Sequence, residues 1–152
     1  MGKNAIVITN GCPENRIDCA EIELFLKQNG WEIAPTPDQA NVIILNLCGL
    51  INETEEKSLD LIKMVNGKKK PNTRVLVTGC LPKINNASIK NIFQGEIIKG
   101  HNIKGISEAL GIEGDYNSNS PHYLVPSRDP KSTKYKFRKI ILTKSNIYVI
   151  RG

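Results

Sequence analysis

Several absences narrow this chain before any motif is considered. No apolar run approaches the roughly 20 residues that a membrane-spanning helix needs; the runs present, such as Val42–Leu45, are strand-sized. The first residues, Met1-Gly2-Lys3-Asn4, lead directly into a strand-like run. No signal peptide is therefore expected, and the expected setting is a reducing cytoplasm. Neither G-x-G-x-x-G nor G-x-x-x-x-G-K occurs, so the two common phosphate-binding loops are missing. There is no C-x-x-C pair, which removes the main support for a thiol redox enzyme. No Ser/His/Asp arrangement can be assembled. The only two histidines, His101 and His122, lie in loop-like sequence without a partner at metal spacing and read as surface residues. In a reducing compartment, the four cysteines are ligands or core residues rather than disulfides.

What is present describes one domain and an appendage. Of the 152 residues, 39% are hydrophobic and 24% charged, enough for a real core and ordinary for a globular protein. The net charge of +6 is uneven. From Ile112 onward, eight basic residues (Arg128 to Arg151 among them) face only Glu113, Asp115 and Asp129. A basic tail of this kind can touch nucleic acid or an acidic partner, or can simply be a solvated linker and edge strand.

Periodicity supplies the architecture. Residues 4–9, 31–33, 42–45, 74–78 and 96–98 read as strands, with Trp31 as a core anchor. Segments 16–28, 52–70, 84–93 and 103–110 read as helices, the first stopped by Asn29-Gly30 and the last by Gly111. Ile17, Leu24 and Phe25 keep helical spacing in the first. Asn52 with Glu55 looks like a capping box, and Leu59, Ile62 and Val65 supply the second helix with a buried stripe. The alternation predicts an α/β fold: a doubly wound, flavodoxin-like open parallel sheet with helices on both faces. The expected organisation is a domain over 1–111, a polar linker over 112–135 and a short strand pair over 136–152.

Three cysteines stand at equivalent places in this pattern. Cys12, Cys48 and Cys80 each follow a strand-like run, at separations of 36 and 32 residues. That is too far for a local metal loop but close to the length of one βαβ unit. Parallel strands bring their carboxyl ends to one edge, where open α/β sheets bind their ligands. One buried cysteine after a strand is commonly structural; three at successive strand ends point to a tri-thiolate pocket. That is soft-metal and iron–sulfur chemistry, with one coordination position left open. Cys19, mid-helix, reads as helix-face packing, with a fourth ligand as the alternative. Asn10 and Asn46, each two residues before a cysteine, are candidates for hydrogen bonds to the sulfurs or for plain turn formers.

These residues carry a resemblance. Gly11-Cys12-Pro13-Glu14-Asn15 with Asp18, then Ala40-x-Val42-Ile43-Ile44-x-Asn46-x-Cys48-Gly49, then Val75-x-Val77-Thr78-Gly79-Cys80-Leu81 resembles the amino-terminal domain of the radical S-adenosylmethionine methylthiotransferases. The segment Cys48–Glu53 with Glu56 and Ser58 leans toward the branch that modifies a ribosomal-protein aspartate; the other branch modifies tRNA. The resemblance implies that Cys12, Cys48 and Cys80 hold an auxiliary 4Fe–4S cluster. The unique iron of such a cluster takes the sulfur that is methylated and inserted into a C–H bond of tRNA or a ribosomal protein.

The departures are equally specific. The family's C-x3-C-x2-C motif for the radical-generating cluster is missing, and so is its small RNA-binding domain. S-adenosylmethionine would then be bound only by a radical domain of the same or another chain. The expectation is a truncated piece that is not catalytically complete alone. Lys83, Leu47 and Cys19 stand where the family often has Gln, Thr and Ser. The competing expectation is a cluster-free, receiver-like module that docks RNA or a partner protein through its basic tail.

Overall fold

The computed structural model describes residues 2–10, 13–49, 52–100 and 103–113, together with Tyr148–Val149. The order of elements is β1 (Asn4–Thr9), α1 (Pro13–Gln28), β2 (Glu32–Ile33), β3 (Val42–Leu47), α2 (Asn52–Lys68), β4 (Arg74–Gly79), α3 (Cys80–Ile84), α4 (Asn86–Lys90), β5 (Glu96–Ile97), α5 (Ile103–Leu110) and β6 (Tyr148–Val149). The connection from β2 to β3 contains a single turn of 3-10 helix, Pro37–Gln39.

The strands form one parallel sheet in the order β2-β1-β3-β4-β5, the flavodoxin-like order expected from the alternation. β6 pairs with β1 in parallel, Ile8 opposite Tyr148 and Thr9 opposite Val149, on the edge whose first half is taken by β2. Only this fragment of the expected carboxyl-terminal strand pair falls within the described residues. His101, His122 and the basic tail beyond Glu113, other than Tyr148–Val149, lie outside them.

Each central strand is apolar on both faces because both are covered. On one face Ile6, Ile8, Ile43, Leu45, Leu47, Val75 and Val77 pack against Leu61, Ile62 and Val65 of α2, Leu81 of α3 and Ile89 of α4. On the other, Ala5, Val7, Val42, Ile44 and Leu76 meet Cys19, Ile22, Phe25 and Leu26 of α1 and Ile103 and Ile106 of α5. This division accounts for the unbroken run Val42–Leu47: odd residues serve one layer and even residues the other.

The structure revises several expected details. α1 begins three residues earlier than its periodicity suggests, at Pro13, since proline suits a first helical position whose N–H has no partner to lose. Trp31 is half-buried at the rim of its cluster rather than an anchor within it. The buried stripe of α2 is Ser58, Leu61, Ile62 and Val65, with Leu59 at its flank. The expected helix over 84–93 is shortened to α4, and α3 before it is a further short helix that periodicity did not suggest; the two meet at Asn85, whose non-helical backbone (φ −144°, ψ 71°) breaks the run. The Asn85 side chain accepts the Ser88 N–H (3.2 Å) as the cap of α4 and donates to Glu55 Oε1 (2.6 Å). Glu55 thus ties α2 to the α3–α4 joint, a long-range role that its capping-box spacing did not suggest. No helix among the described residues is long and apolar enough to cross a membrane.

Candidate metal centre

Reversal of strand order places a crevice between β1 and β3. From β1 the chain moves outward to β2; from β3 it moves the other way to β4 and β5. In open α/β sheets of this order, the carboxyl ends of the two strands at the reversal border the ligand crevice. Cys48 is the first residue after β3 and Cys80 the first after β4. The ladder pairs Leu47 with Gly79, so the two cysteines leave adjacent strands at the same level. Cys12 lies outside the described residues; the sequence sets it between Thr9, the last residue of β1, and Pro13, the first of α1.

Two glycines bring the Cys48 and Cys80 exits against one another. A Cβ on Gly49 would stand 2.7 Å from Leu81 Cδ1 and 3.3 Å from Leu81 Cα, so only a bare backbone lets the residue after Cys48 lie on the residue after Cys80. Gly79 has φ +98°, and a Cβ there would run into Asn46 Oδ1 and lie 2.6 Å from Leu47 O. This left-handed turn starts α3 directly on Cys80.

The two thiols differ in exposure. Cys48 is 3% exposed, whereas Cys80 is partly open. Cys19, Cys48 and Cys80 all carry thiols rather than disulfides. Among the described residues, no group of three or more His, Cys, Asp or Glu side chains gathers at metal-holding distance, and the third thiol of the expected set, Cys12, is outside those residues.

Comparison with known sequences follows this geometry closely. Residues 4–100 match the sequence profile described as "Uncharacterized protein family UPF0004", and that span takes in Cys12, Cys48 and Cys80. The chain belongs to that family. It is the amino-terminal domain family of the methylthiotransferases. Among similar curated proteins is the ribosomal protein uS12 methylthiotransferase RimO of Protochlamydia amoebophila, 27% identical over 91% of this chain and 31% of the relative. The protein of the same name from Acetivibrio thermocellus is 29% identical over 97% of this chain and 34% of the relative. That of Legionella pneumophila (strain Philadelphia 1) is 40% identical over 81% and 26%. The chain thus spans about a third or less of the length of these relatives.

Within this family domain, the donor set suits an iron–sulfur cluster. Two soft thiol donors leave adjacent parallel strands at one level, and their loops are in contact through Gly49 and Leu81. Cys19 has a different environment. It is fully buried between α1 and the sheet, and burial pushes its thiol up to about 12. Hydrogen bonds from Asn46 and Thr9 oppose that shift without reversing it, and the Glu23 and Asp18 charges add to it. Cys19 is a packed core residue, in accord with the helix-face reading.

Asn46 and Asn10 each hold specific partners among the described residues. Asn46 donates Nδ2 to Cys19 Sγ at 3.4 Å. It is the middle member of a buried polar row, Thr9, Asn46 and Thr78, in register across three strands and facing the α1 and α5 layer. Asn10 accepts the Cys48 backbone N–H (3.2 Å) and donates to Ser58 Oγ (2.6 Å), and Ser58 Oγ donates to Cys48 O (2.7 Å). Sequence reasoning assigned Ser58 no structural role. One signal was available: Ser58 heads the i, i+3, i+4, i+7 stripe completed by Leu61, Ile62 and Val65, so a hydroxyl stands where an apolar residue would otherwise pack.

A cavity of about 300 Å³ lies apart from this edge, between Met64, Val65 and Lys68 of α2 and the Pro37–Asp38 turn.

Proposed function

We propose that this chain is the auxiliary-cluster domain of a methylthiotransferase, with Cys12, Cys48 and Cys80 as thiolate ligands of one 4Fe–4S cluster. The observation that supports the reading is that Cys48 and Cys80 follow adjacent parallel strands at one level of the sheet's carboxyl edge, the edge at which Cys12 follows β1 in sequence. When bound, such a cluster offers one iron without a protein ligand, at which a sulfur donor can be held. The protein's part is to supply deprotonated thiols, fix their backbone and limit water at the buried side, where Cys48 is 3% exposed. Cys80, the more exposed of the two described thiols, is the one more open to an incoming sulfur donor.

The relatives' names point to ribosomal protein uS12 as the substrate of the complete enzyme, in preference to tRNA. Radical chemistry and S-adenosylmethionine belong in this reading to a domain with the C-x3-C-x2-C motif, which this sequence does not contain. The cluster domain is assigned to 1–111, a linker to 112–135 and a strand segment to 136–152, and a reducing cytoplasm suits the thiolate ligands.

Anaerobic reconstitution of the full chain with iron and sulfide tests the assignment. Cys12→Ala, Cys48→Ala and Cys80→Ala are each expected to lose most bound iron, whereas Cys19→Ala keeps it. Full iron content in all three ligand variants would overturn the assignment.

A further inference from the structure

We propose that Asn10 and Ser58 are positioning residues that lock the exits of β1 and β3 together, holding the Cys48 backbone ready for its role as a ligand. β3 leaves its ladder with β4 at Leu47 opposite Gly79, so the next peptide groups need partners of another kind. Both polar groups of Cys48 find them in side chains. Its N–H donates to Asn10 Oδ1 (3.2 Å), and its carbonyl accepts from Ser58 Oγ (2.7 Å). Asn10 Nδ2 closes the ring onto Ser58 Oγ (2.6 Å).

Only one arrangement of hydrogens satisfies all three contacts. The Cys48 N–H can only donate, which fixes Oδ1 of Asn10 toward it and Nδ2 toward the hydroxyl. The hydroxyl then accepts from Asn10 and spends its single proton on Cys48 O. Ser58 is fully buried and Cys48 nearly so, so the Ser58–Cys48 contact is shielded from water, while Asn10 is partly exposed. The ring joins three elements: the β1 exit two residues before Cys12, the β3 exit at Cys48, and the second turn of α2. A ligand backbone already ordered loses little freedom when a metal binds.

This inference rests on the cluster reading for its metal arm, whereas its thiol arm stands without it. In the metal-free full chain, kept reduced and anaerobic, alkylation by iodoacetamide is followed at each cysteine by mass spectrometry. Ser58→Ala and Asn10→Asp are expected to speed modification of Cys48 relative to Cys80 by about tenfold, the effect of losing one net hydrogen bond. Buried Cys19 reports on the fold and stays unmodified. After reconstitution, both variants are expected to release iron to a chelator about tenfold faster than the unsubstituted chain.

An unchanged ratio of Cys48 to Cys80 modification in both variants would overturn the proposal. So would modification that reaches Cys19 equally in both, which makes the ring a general fold contact. A raised Cys48 rate in a chain that takes up no iron even unsubstituted would sustain the ring and defeat the cluster reading instead.

Discussion

Asn46 of β3 donates its side-chain amide to the sulfur of Cys19 in α1, at 3.4 Å, inside the layer between helix and sheet. The contact gives the fourth cysteine a structural task. With its thiol pushed up to about 12 by burial, Cys19 is held as the neutral thiol at pH 8. Native alkylation at pH 8 is therefore expected to leave Cys19 intact. Cys19→Ala should lower the unfolding free energy by about 1–2 kcal/mol through the lost contact and the space left behind, measured by urea titration.

Gly79 offers a sharper test of the Cys80 turn. Its φ of +98° is costly for any residue with a Cβ, and that Cβ would meet Asn46 and the Leu47 backbone. Gly79→Ala is expected to destabilise the chain by about 2–4 kcal/mol, combining backbone strain with overpacking. Denaturant unfolding measures the loss, and iron uptake should fall with it because Cys80 begins at this turn.

Glu23 of α1 makes stability depend on pH. It is 2% exposed, and among the described residues neither carboxylate oxygen has a hydrogen-bond partner. Burial raises its pKa from 4.5 to about 7, with Lys27 pulling the other way. The folded state thus binds this proton more tightly than the unfolded state. Below about pH 4.5 both states are protonated and the full stabilising contribution is present; it is lost as pH rises to about 7, by an amount on the order of 3 kcal/mol. Glu23→Gln should flatten that slope between pH 5 and 8 and leave the variant the more stable form at pH 8. Urea titrations at both pH values would show an undiminished slope if Glu23 is not its source.

Asn85 holds two helices and a third at once. Asn85→Ala removes the cap on Ser88 N–H and leaves Glu55 without this donor. A loss of about 1–2 kcal/mol is expected in thermal or denaturant unfolding. Asn85→Asp keeps the cap but faces the Glu55 carboxylate with a second negative charge, so its deficit should grow as the salt concentration falls.

Much of this molecule is legible in the chain alone. β1 and α5 have the expected limits, and the sheet is parallel because strand-sized apolar runs alternate with helical ones. The break at Asn85 was hidden because its cause is a side chain that prefers Ser88 N–H and Glu55 to another helical turn, a choice made by a contact 30 residues away. The exchange of Leu59 for Leu61 in the α2 stripe has a similar origin: both leucines suit a helix, and only the position of the sheet selects the inward one.

The order of residue types was sufficient to set the fold class and to single out three cysteines, because period and spacing are local properties that any parallel α/β sheet converts into one shared edge. Tertiary structure alone decided that Asn10 and Ser58 clasp the Cys48 peptide while Asn46 turns to Cys19. Those partners are 10 to 48 residues apart, and a short polar side chain has no periodicity that reveals which distant group it will meet.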